Sequence, residues 1–163
     1  MDFKTQTAPA AGLSGLVTDA LLVLLHAADA AGTLDKPLAD ELARAVKDGD
    51  FQFKAGQSLY AHRVVGVKAA RVLFVCAADA SPKSLRKAVI SGLGLLKSGG
   101  ARALAVAPAG FALTAAHGEA LVMAVTDSLY VYRETKPSAP APTALRAVAL
   151  VCDKAEADRK SVV

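Results

Sequence analysis

The apolar run Ala20–Leu25 (Ala-Leu-Leu-Val-Leu-Leu) constrains the fold more than any other part of this chain. No polar residue interrupts it, and Asp19 and His26 flank it directly. A short run of this kind is typical of a strand that is buried on both faces of a sheet. Periodicity alone does not distinguish such a strand from a buried helical segment. As a strand, it would need covering elements on both sides of its sheet.

An amphipathic helix is predicted after this run, and both of its ends carry recognisable signals. Asp35 is an expected N-cap, and Pro37 falls in the first turn, where a missing N–H costs nothing. Gly49 is expected at the C′ position just beyond the last turn. The apolar stripe predicted for the inner face consists of Leu38, Leu42 and Val46.

Two more helices are predicted in the second half of the chain. In the first, Ser81 serves as N-cap, Pro82 takes the first helical position, and Gly99 and Gly100 end the helix. The other covers residues 114–129. The residues predicted to face inward are Leu85, Val89, Leu93 and Leu96 in the first helix, and Leu121, Val122 and Val125 in the other.

Strands are predicted between and beyond these helices. Their expected ranges are 2–7, 20–25, 58–65, 71–77, 102–107 and 145–151, with turns at 9–15, at 50–56 and at Gly66. Strands that alternate with helices indicate an α/β fold, a three-layer α/β/α arrangement around a mixed, mostly parallel sheet. The 163 residues suffice for one domain with its own core.

The composition favours a cytoplasmic protein without a membrane segment. The run at 20–25 is far shorter than the roughly 18 apolar residues that a membrane span needs, and no secretory signal is recognisable. Cys76 and Cys152 each lie in a strand-like apolar run, which predicts buried free thiols in a reducing compartment rather than a disulfide.

No catalytic, cofactor-binding or metal-binding residue set is predicted in this chain. The three histidines, His26, His62 and His117, have no helical partner and no neighbouring acid or cysteine cluster. The sequence Gly12-Leu13-Ser14-Gly15 lacks the spacing of a nucleophile elbow. Gly92 and Gly94 fall inside a helix rather than at its N-terminus, which excludes a dinucleotide fingerprint and predicts close helix–sheet packing instead.

Positive charge is concentrated in the middle of the chain. Residues 51–118 contain nine basic residues against one acid, Asp79. This excess fits a nucleic-acid surface, a solvated face, or a face toward an acidic partner domain. The charges are spread over several elements and are not interleaved with aromatic residues, which disfavours nucleic-acid binding. The basic residues are Lys54, Arg63, Lys68, Arg71, Lys83, Arg86, Lys87, Lys97 and Arg102.

A charged-turn cassette, Gly49-Asp50-Phe51-Gln52-Phe53-Lys54-Ala55-Gly56, precedes the second half of the chain. It resembles the Gly-Asp-Phe-x-x-Lys-x-Gly element in the amino-terminal domain of the leucyl (cytosol) aminopeptidases. Further elements match in the same order: Arg71-Val72-Leu73, Arg86-Lys87-Ala88, and Tyr130-Val131-Tyr132 followed by Lys136. Two positions depart from the family pattern, because Gln57 stands where glutamate is common and Tyr132 where phenylalanine is usual.

The resemblance implies a macro-domain-like fold over residues 1–152, with 153–163 beginning a linker helix to a catalytic domain that this sequence does not include. It implies a hexameric parent enzyme that removes N-terminal amino acids from peptides with two divalent metals, zinc, manganese or magnesium. The family's Asn-Thr-Asp-Ala-Glu-Gly-Arg signature is absent, so no catalytic residue transfers to this chain. Its expected role is structural, in oligomerisation or in substrate access.

A stand-alone binding module is the alternative. It would bind an ADP-ribose-type nucleotide through the macro-like fold, or DNA through the basic middle segment. A nucleotide site of that kind needs a glycine-rich phosphate loop after a strand. The nearest candidate, Ala107-Pro108-Ala109-Gly110, has only one glycine.

Overall fold

The computed structural model describes residues 2–7, 10–26, 34–79, 81–96, 100–109, 114–135 and 145–152. Within these ranges, strands and helices alternate along the chain. They are β1 (Asp2–Thr7), a 3-10 helix (Ala10–Gly15), β2 (Ala20–Leu25), α1 (Lys36–Lys47), β3 (Ser58–His62), β4 (Arg71–Cys76), α2 (Pro82–Leu96), β5 (Ala103–Pro108), α3 (Ala115–Thr135) and β6 (Ala147–Cys152).

The strands form one sheet in the order β1-β6-β5-β2-β4-β3. Neighbouring strands are parallel throughout, except that β3 runs antiparallel to β4 at one edge. The predicted mixed, mostly parallel sheet is therefore confirmed. The 20–25 run is a strand, β2, and it pairs with β4 on one side and β5 on the other.

Both faces of the sheet are covered, as a strand like β2 requires. Leu22 and Leu24 point into a core beneath α2 and α3, whereas Leu21, Val23 and Leu25 point into a second core beneath α1 and the 3-10 helix. All five side chains are fully buried. Each stabilises the fold by about 1.5–3 kcal/mol relative to an exposed side chain. The three-layer prediction is thereby confirmed.

Two helix ends follow the local sequence signals. The backbone N–H of Ser84 donates to the Ser81 hydroxyl over 3.3 Å, and α2 begins at Pro82, as expected of this N-cap. At the end of α1, Gly49 adopts a φ of +82°. The N–H groups of Gly49 and Asp50 then bond the carbonyls of Val46 and Ala45, over 3.2 and 2.8 Å, which is a Schellman motif.

The predicted start of α1 is confirmed in position, because Asp35 is the N-cap residue and Pro37 lies in the first turn. The Asp35 side chain does not cap the helix, because its carboxylate accepts hydrogen bonds from the backbone N–H and the hydroxyl of Ser14 in the 3-10 helix. The prediction for the inner face was wrong at its third member. The apolar stripe turns away from Val46, which is 42% exposed, and Ala45 is buried in its place. A step of four residues exceeds one helical turn of 3.6 residues, so each member of the stripe is rotated further around the helix than the one before it. The third member, Val46, therefore turns toward solvent.

Several element boundaries also differ from the prediction, those of β4, β5 and β6 by one or two residues. β3 ends at His62 rather than at residue 65, because the positive φ of 59° at Arg63 bends the chain. The N–H of Arg63 still donates to the carbonyl of Ala70 over 2.8 Å. The turn at 9–15 contains the 3-10 helix, and α3 extends to Thr135. Leu121 and Val125 are buried as expected, and Val122 is half-buried. The proline-rich connector at 137–142 and the charged segment at 153–160 lie outside the described residues.

Among the described residues, no helix is both long and apolar enough to cross a lipid bilayer.

The two glycines inside α2 differ in their surroundings. A Cβ atom at Gly92 would lie 2.3 Å from Cδ1 of Leu22, so the absence of a side chain lets α2 approach β2 closely. Gly94 is exposed, and a Cβ there would meet nothing within 4 Å. The packing prediction is therefore confirmed for Gly92 and wrong for Gly94.

We predict that Gly92→Ala lowers the free energy of unfolding by about 1–2 kcal/mol. The overpacking cost of about 1–3 kcal/mol exceeds the roughly 0.5–1 kcal/mol that alanine contributes over glycine in a helix. Gly94→Ala is the matched control and should raise the free energy of unfolding by up to about 1 kcal/mol. Urea denaturation of both variants measures the two changes. A Gly92→Ala variant as stable as the parent chain would contradict the close approach.

Candidate functional site

The carboxyl ends of β2, β4 and β5 lie at one edge of the sheet, where parallel sheets usually carry their functional groups. Just beyond β4, the N–H of Ala77 donates to the carbonyl of Leu25 over 2.6 Å. Beyond β5, the N–H of Ala109 donates to the carbonyl of Leu24 over 2.9 Å. The chain after β4 then leads through Asp79 into the N-terminus of α2.

Asp79 has a strongly perturbed acidity at this edge. Its carboxylate accepts a hydrogen bond from the backbone N–H of Ser81 over 2.8 Å. Hydrogen bonds from the Ser81 hydroxyl, from that N–H and from Ser84, in this order of size, lower the pKa of Asp79 to about 2. Asp79 is thus an ionised, exposed carboxylate that fixes the turn before α2.

The side chain of Gln57 holds the cassette in shape. Its Oε1 atom accepts hydrogen bonds from the backbone N–H of Gln52 over 2.7 Å and of Lys54 over 3.4 Å. The N–H of Gln57 itself donates to the carbonyl of Lys54 over 3.0 Å. Phe53 can therefore be held at its positive φ of 57°. A glutamate at this position would supply an equivalent acceptor.

The cassette also joins the α1 layer to the carboxyl edge of β4. Phe51 is fully buried in the core beneath α1, and the ring of Phe53 packs edge-on against it with centroids 5.0 Å apart. On the other side, the N–H of Gly56 donates to the carbonyl of Cys76 over 2.8 Å, and the N–H of Cys76 donates to the carbonyl of Gln57 over 2.9 Å. The cassette is thereby anchored both in the core and on the sheet.

A cavity of about 280 Å³ lies between the cassette and α2. Residues 76–78 at the end of β4 line it, together with Ala55 and Gly56 of the cassette. The opposite wall is a single face of α2, formed by Ser84, Lys87, Ala88 and Ser91. This cavity brings the cassette, the end of β4 and part of the Arg-Lys-Ala element together.

The structure does not unite the three histidines in one site. His26 is half-buried after β2, and His62 is exposed at the end of β3. His117 is buried, and its Nδ1 atom accepts the backbone N–H of Thr114 over 3.0 Å, a local role at the start of α3. Among the described residues, no three His, Cys, Asp or Glu side chains are grouped so that they could hold a metal ion.

Cys76 is a buried free thiol, as predicted, and burial raises its pKa. The side chain of Cys152 lies outside the described residues. In the weak phosphate-loop candidate at 107–110, the N–H of Ala109 is already bonded to β2, and Gly110 lies outside the described residues. The described part of this loop therefore offers no free amide at Ala109 for a phosphate.

The basic residues of the middle segment separate into groups. Arg63, Lys68, Arg71 and Arg102 lie at or near the amino-terminal ends of the parallel strands, opposite the cavity. Lys83, Arg86 and Lys87 belong to α2, where Arg86 forms an ion pair with Asp127 of α3. Lys54 is exposed in the cassette, and Lys97 lies outside the described residues.

Solved structures define the class of fold. The chain is similar to the Trypanosoma brucei macrodomain in complex with ADP-ribose, with a TM-score of 0.61 and 16% identity over 96% of this chain and 66% of that one. It is also similar to a mutant of tomato leucine aminopeptidase, with a TM-score of 0.66 and 19% identity over 93% of this chain and 32% of that one. The domain thus has a macro-domain-like fold.

Sequence comparison defines the family. A sequence model described as the N-terminal domain of the cytosol aminopeptidase family matches residues 24–138. The chain therefore belongs to this family and represents its N-terminal domain, as the cassette predicted. It is 46% identical to a probable cytosol aminopeptidase of Methylibium petroleiphilum over 96% of this chain and 32% of the relative. It is 38% identical to a probable cytosol aminopeptidase of Polaromonas naphthalenivorans over 94% of this chain and 30% of that relative. The chain spans about a third of these relatives' length.

Sequence reasoning missed two features of this edge. The role of Gln57 could have been suspected, because a long polar side chain directly after a glycine turn often bonds the turn's own backbone. The cavity wall on α2 is also visible in the sequence, since Ser84, Lys87 and Ser91 are spaced three and four residues apart and so share one helix face. This face can be read as a cavity wall only when the structure shows that the cassette lies opposite it.

We predict that Gln57→Leu lowers the free energy of unfolding by about 1 kcal/mol, because two backbone N–H groups lose their acceptor. Gln57→Glu keeps an acceptor of the same length and should stay within about 0.5 kcal/mol of the parent chain. Urea denaturation of the pair measures the difference. Equal losses in both variants would show that the Oε1 contacts do not stabilise the cassette.

We predict that Asp79 titrates near pH 2 in a side-chain carbon NMR titration. Ser81→Ala should raise this pKa toward the ordinary value of about 3.9, and Ser84→Ala should raise it less, because its contribution is smaller. Since folding depresses the pKa, the stabilisation by ionised Asp79 is complete above about pH 4 and is lost as the pH falls through about 2. An Asp79 that titrates near 4 would contradict the hydrogen-bonded turn.

Proposed function

We propose that this chain is the non-catalytic N-terminal domain of a longer, cytoplasmic, metal-dependent leucyl aminopeptidase. The observation that carries the proposal is the match to the family's N-terminal domain in relatives about three times as long as this chain. In this proposal, the longer protein removes N-terminal amino acids from peptides. Residues 1–152 form the accessory domain, and residues 153–163 lead into a linker helix.

The proposal assigns the two divalent metals, zinc, manganese or magnesium, to the remainder of the longer protein. A dinuclear site needs several carboxylates that converge on two ions about 3.5–4 Å apart. The side chains described here do not fit such a site, because no three potential ligands are grouped together within the described residues. This chain would instead contribute to subunit contacts in a hexamer or shape the access of peptides to the catalytic domain.

A nucleic-acid-binding role is the second candidate, and the placement of the basic residues favours it. Arg63, Arg71 and Arg102 lie at the edge of the sheet where the parallel strands begin, at the ends of β3, β4 and β5 respectively. Adjacent strands of a sheet are about 4.8 Å apart. Such a row of cations could follow a phosphate backbone. Binding of this kind has a steep salt dependence, because each phosphate contact releases counterions.

We predict that the 163-residue chain does not hydrolyse leucine p-nitroanilide with added Mn²⁺ or Zn²⁺. The longer protein encoded by the same reading frame should hydrolyse it, and a chelator should abolish that activity. Sequencing downstream of Val163 should reveal a second domain with Asn-Thr-Asp-Ala-Glu-Gly-Arg. Chelator-sensitive hydrolysis by the purified chain would disprove the non-catalytic assignment. A stop codon directly after Val163 would favour the stand-alone binding module.

A further inference from the structure

The cavity between the cassette and α2 contains an unbalanced positive charge. Lys87 lines it, and the Lys87 ammonium group has no ion pair or hydrogen bond with any described residue. The preceding residue, Arg86, is neutralised by Asp127 on α3. None of the lining residues that the structure describes is acidic. The Asp79 carboxylate is not among them and already accepts hydrogen bonds from Ser81 and Ser84. The charge of the described lining therefore favours an anion.

Hydrogen-bond donors accompany this charge. The Ser91 hydroxyl has no partner within the described part of the chain. The backbone N–H groups of Ala55 and Ala78 likewise have no acceptor there, whereas those of Gly56 and Ala77 are bonded to Cys76 and Leu25. Ammonium, hydroxyl and amide donors together match the oxygens of a carboxylate or phosphate group.

Apart from Ser84, which is bonded to Ser81, the remaining described lining of the cavity is apolar, and it limits the ligand's size. Ala55, Ala77, Ala78 and Ala88 supply methyl groups, and Cys76 supplies a buried thiol. The volume of about 280 Å³ lies just below the roughly 300–1,000 Å³ that is usual for ligand pockets. The cavity is thus suited to a molecule with a charged head and a short aliphatic part.

We propose that this cavity binds a small organic oxyanion, a carboxylate or a phosphate monoester that carries a short aliphatic chain. Lys87 supplies the counter-charge, Ser91 a hydrogen-bond donor, and the alanine methyl groups the surface for the chain. A free amino acid fits less well, because its ammonium group would meet Lys87 and find no carboxylate among the described lining residues. The proposal does not depend on the activity of the longer protein.

The test is an NMR titration of the ¹⁵N-labelled 163-residue chain with butyrate and, separately, with propyl phosphate. Sodium chloride holds the ionic strength constant, so that general screening does not mimic binding. We expect saturable shifts of the amides of Ala55, Ala78, Lys87 and Ser91 with at least one anion. The anion that binds more tightly identifies carboxylate or phosphate as the preferred head group. Shifts with neither anion, or equal shifts with neutral butanol, would overturn the proposal.

Matched variants locate the site. Lys87→Met should weaken binding at least tenfold, since it removes a charge-assisted hydrogen bond, and Ser91→Ala should weaken it several-fold. Lys83→Met is the control, because Lys83 is an exposed cation on the same helix that does not line the cavity. Ser91→Leu should block binding by filling the cavity from an exposed position. A native-like spectrum without ligand shows that each variant is folded. Equal weakening by Lys83→Met and Lys87→Met would show non-specific surface charge and overturn the assignment.

Discussion

The burial of β2 on both faces is the constraint on which the rest of the structure depends. Its six side chains are completely shielded from solvent, so helical layers must cover the sheet from both sides. On one side, α2 approaches so closely that Gly92 cannot carry a side chain without displacing Leu22. On the other side, α1 and the 3-10 helix form the cover, and Phe51 from the cassette completes that core.

The cassette connects this core to the carboxyl edge of the sheet. Phe51 anchors it in the core beneath α1, while Gly56 and Gln57 exchange backbone hydrogen bonds with Cys76. The residues by which the family resemblance is recognised are therefore largely structural. Their indirect effect is functional, because the same anchoring places Ala55 and Gly56 opposite Lys87 and forms the wall of the cavity.

The limits of sequence-based prediction at the helix ends have a common physical cause. The N-cap at Ser81 and the helix end at Gly49 were predictable, because the groups that satisfy them lie within a few residues along the chain. Asp35 has the same local signal as Ser81, yet its carboxylate bonds Ser14, which is distant in sequence. A polar side chain near a helix start can form its hydrogen bond with a local or with a distant partner. For Asp35, the packing of the 3-10 helix against α1 determines which partner it bonds.

The sequence by itself determined the class of the fold and the family. Buried strands, capped helices and the cassette are patterns of neighbouring residues, and local conformational preferences and hydrophobic periodicity act at that range. The tertiary structure decided the strand order and the division of the basic residues between two edges of the sheet and α2. It also decided that Arg86 has a partner while its neighbour Lys87 faces a cavity. These features depend on which distant segments meet, and that is set by the simultaneous burial of both faces of the sheet rather than by any local pattern.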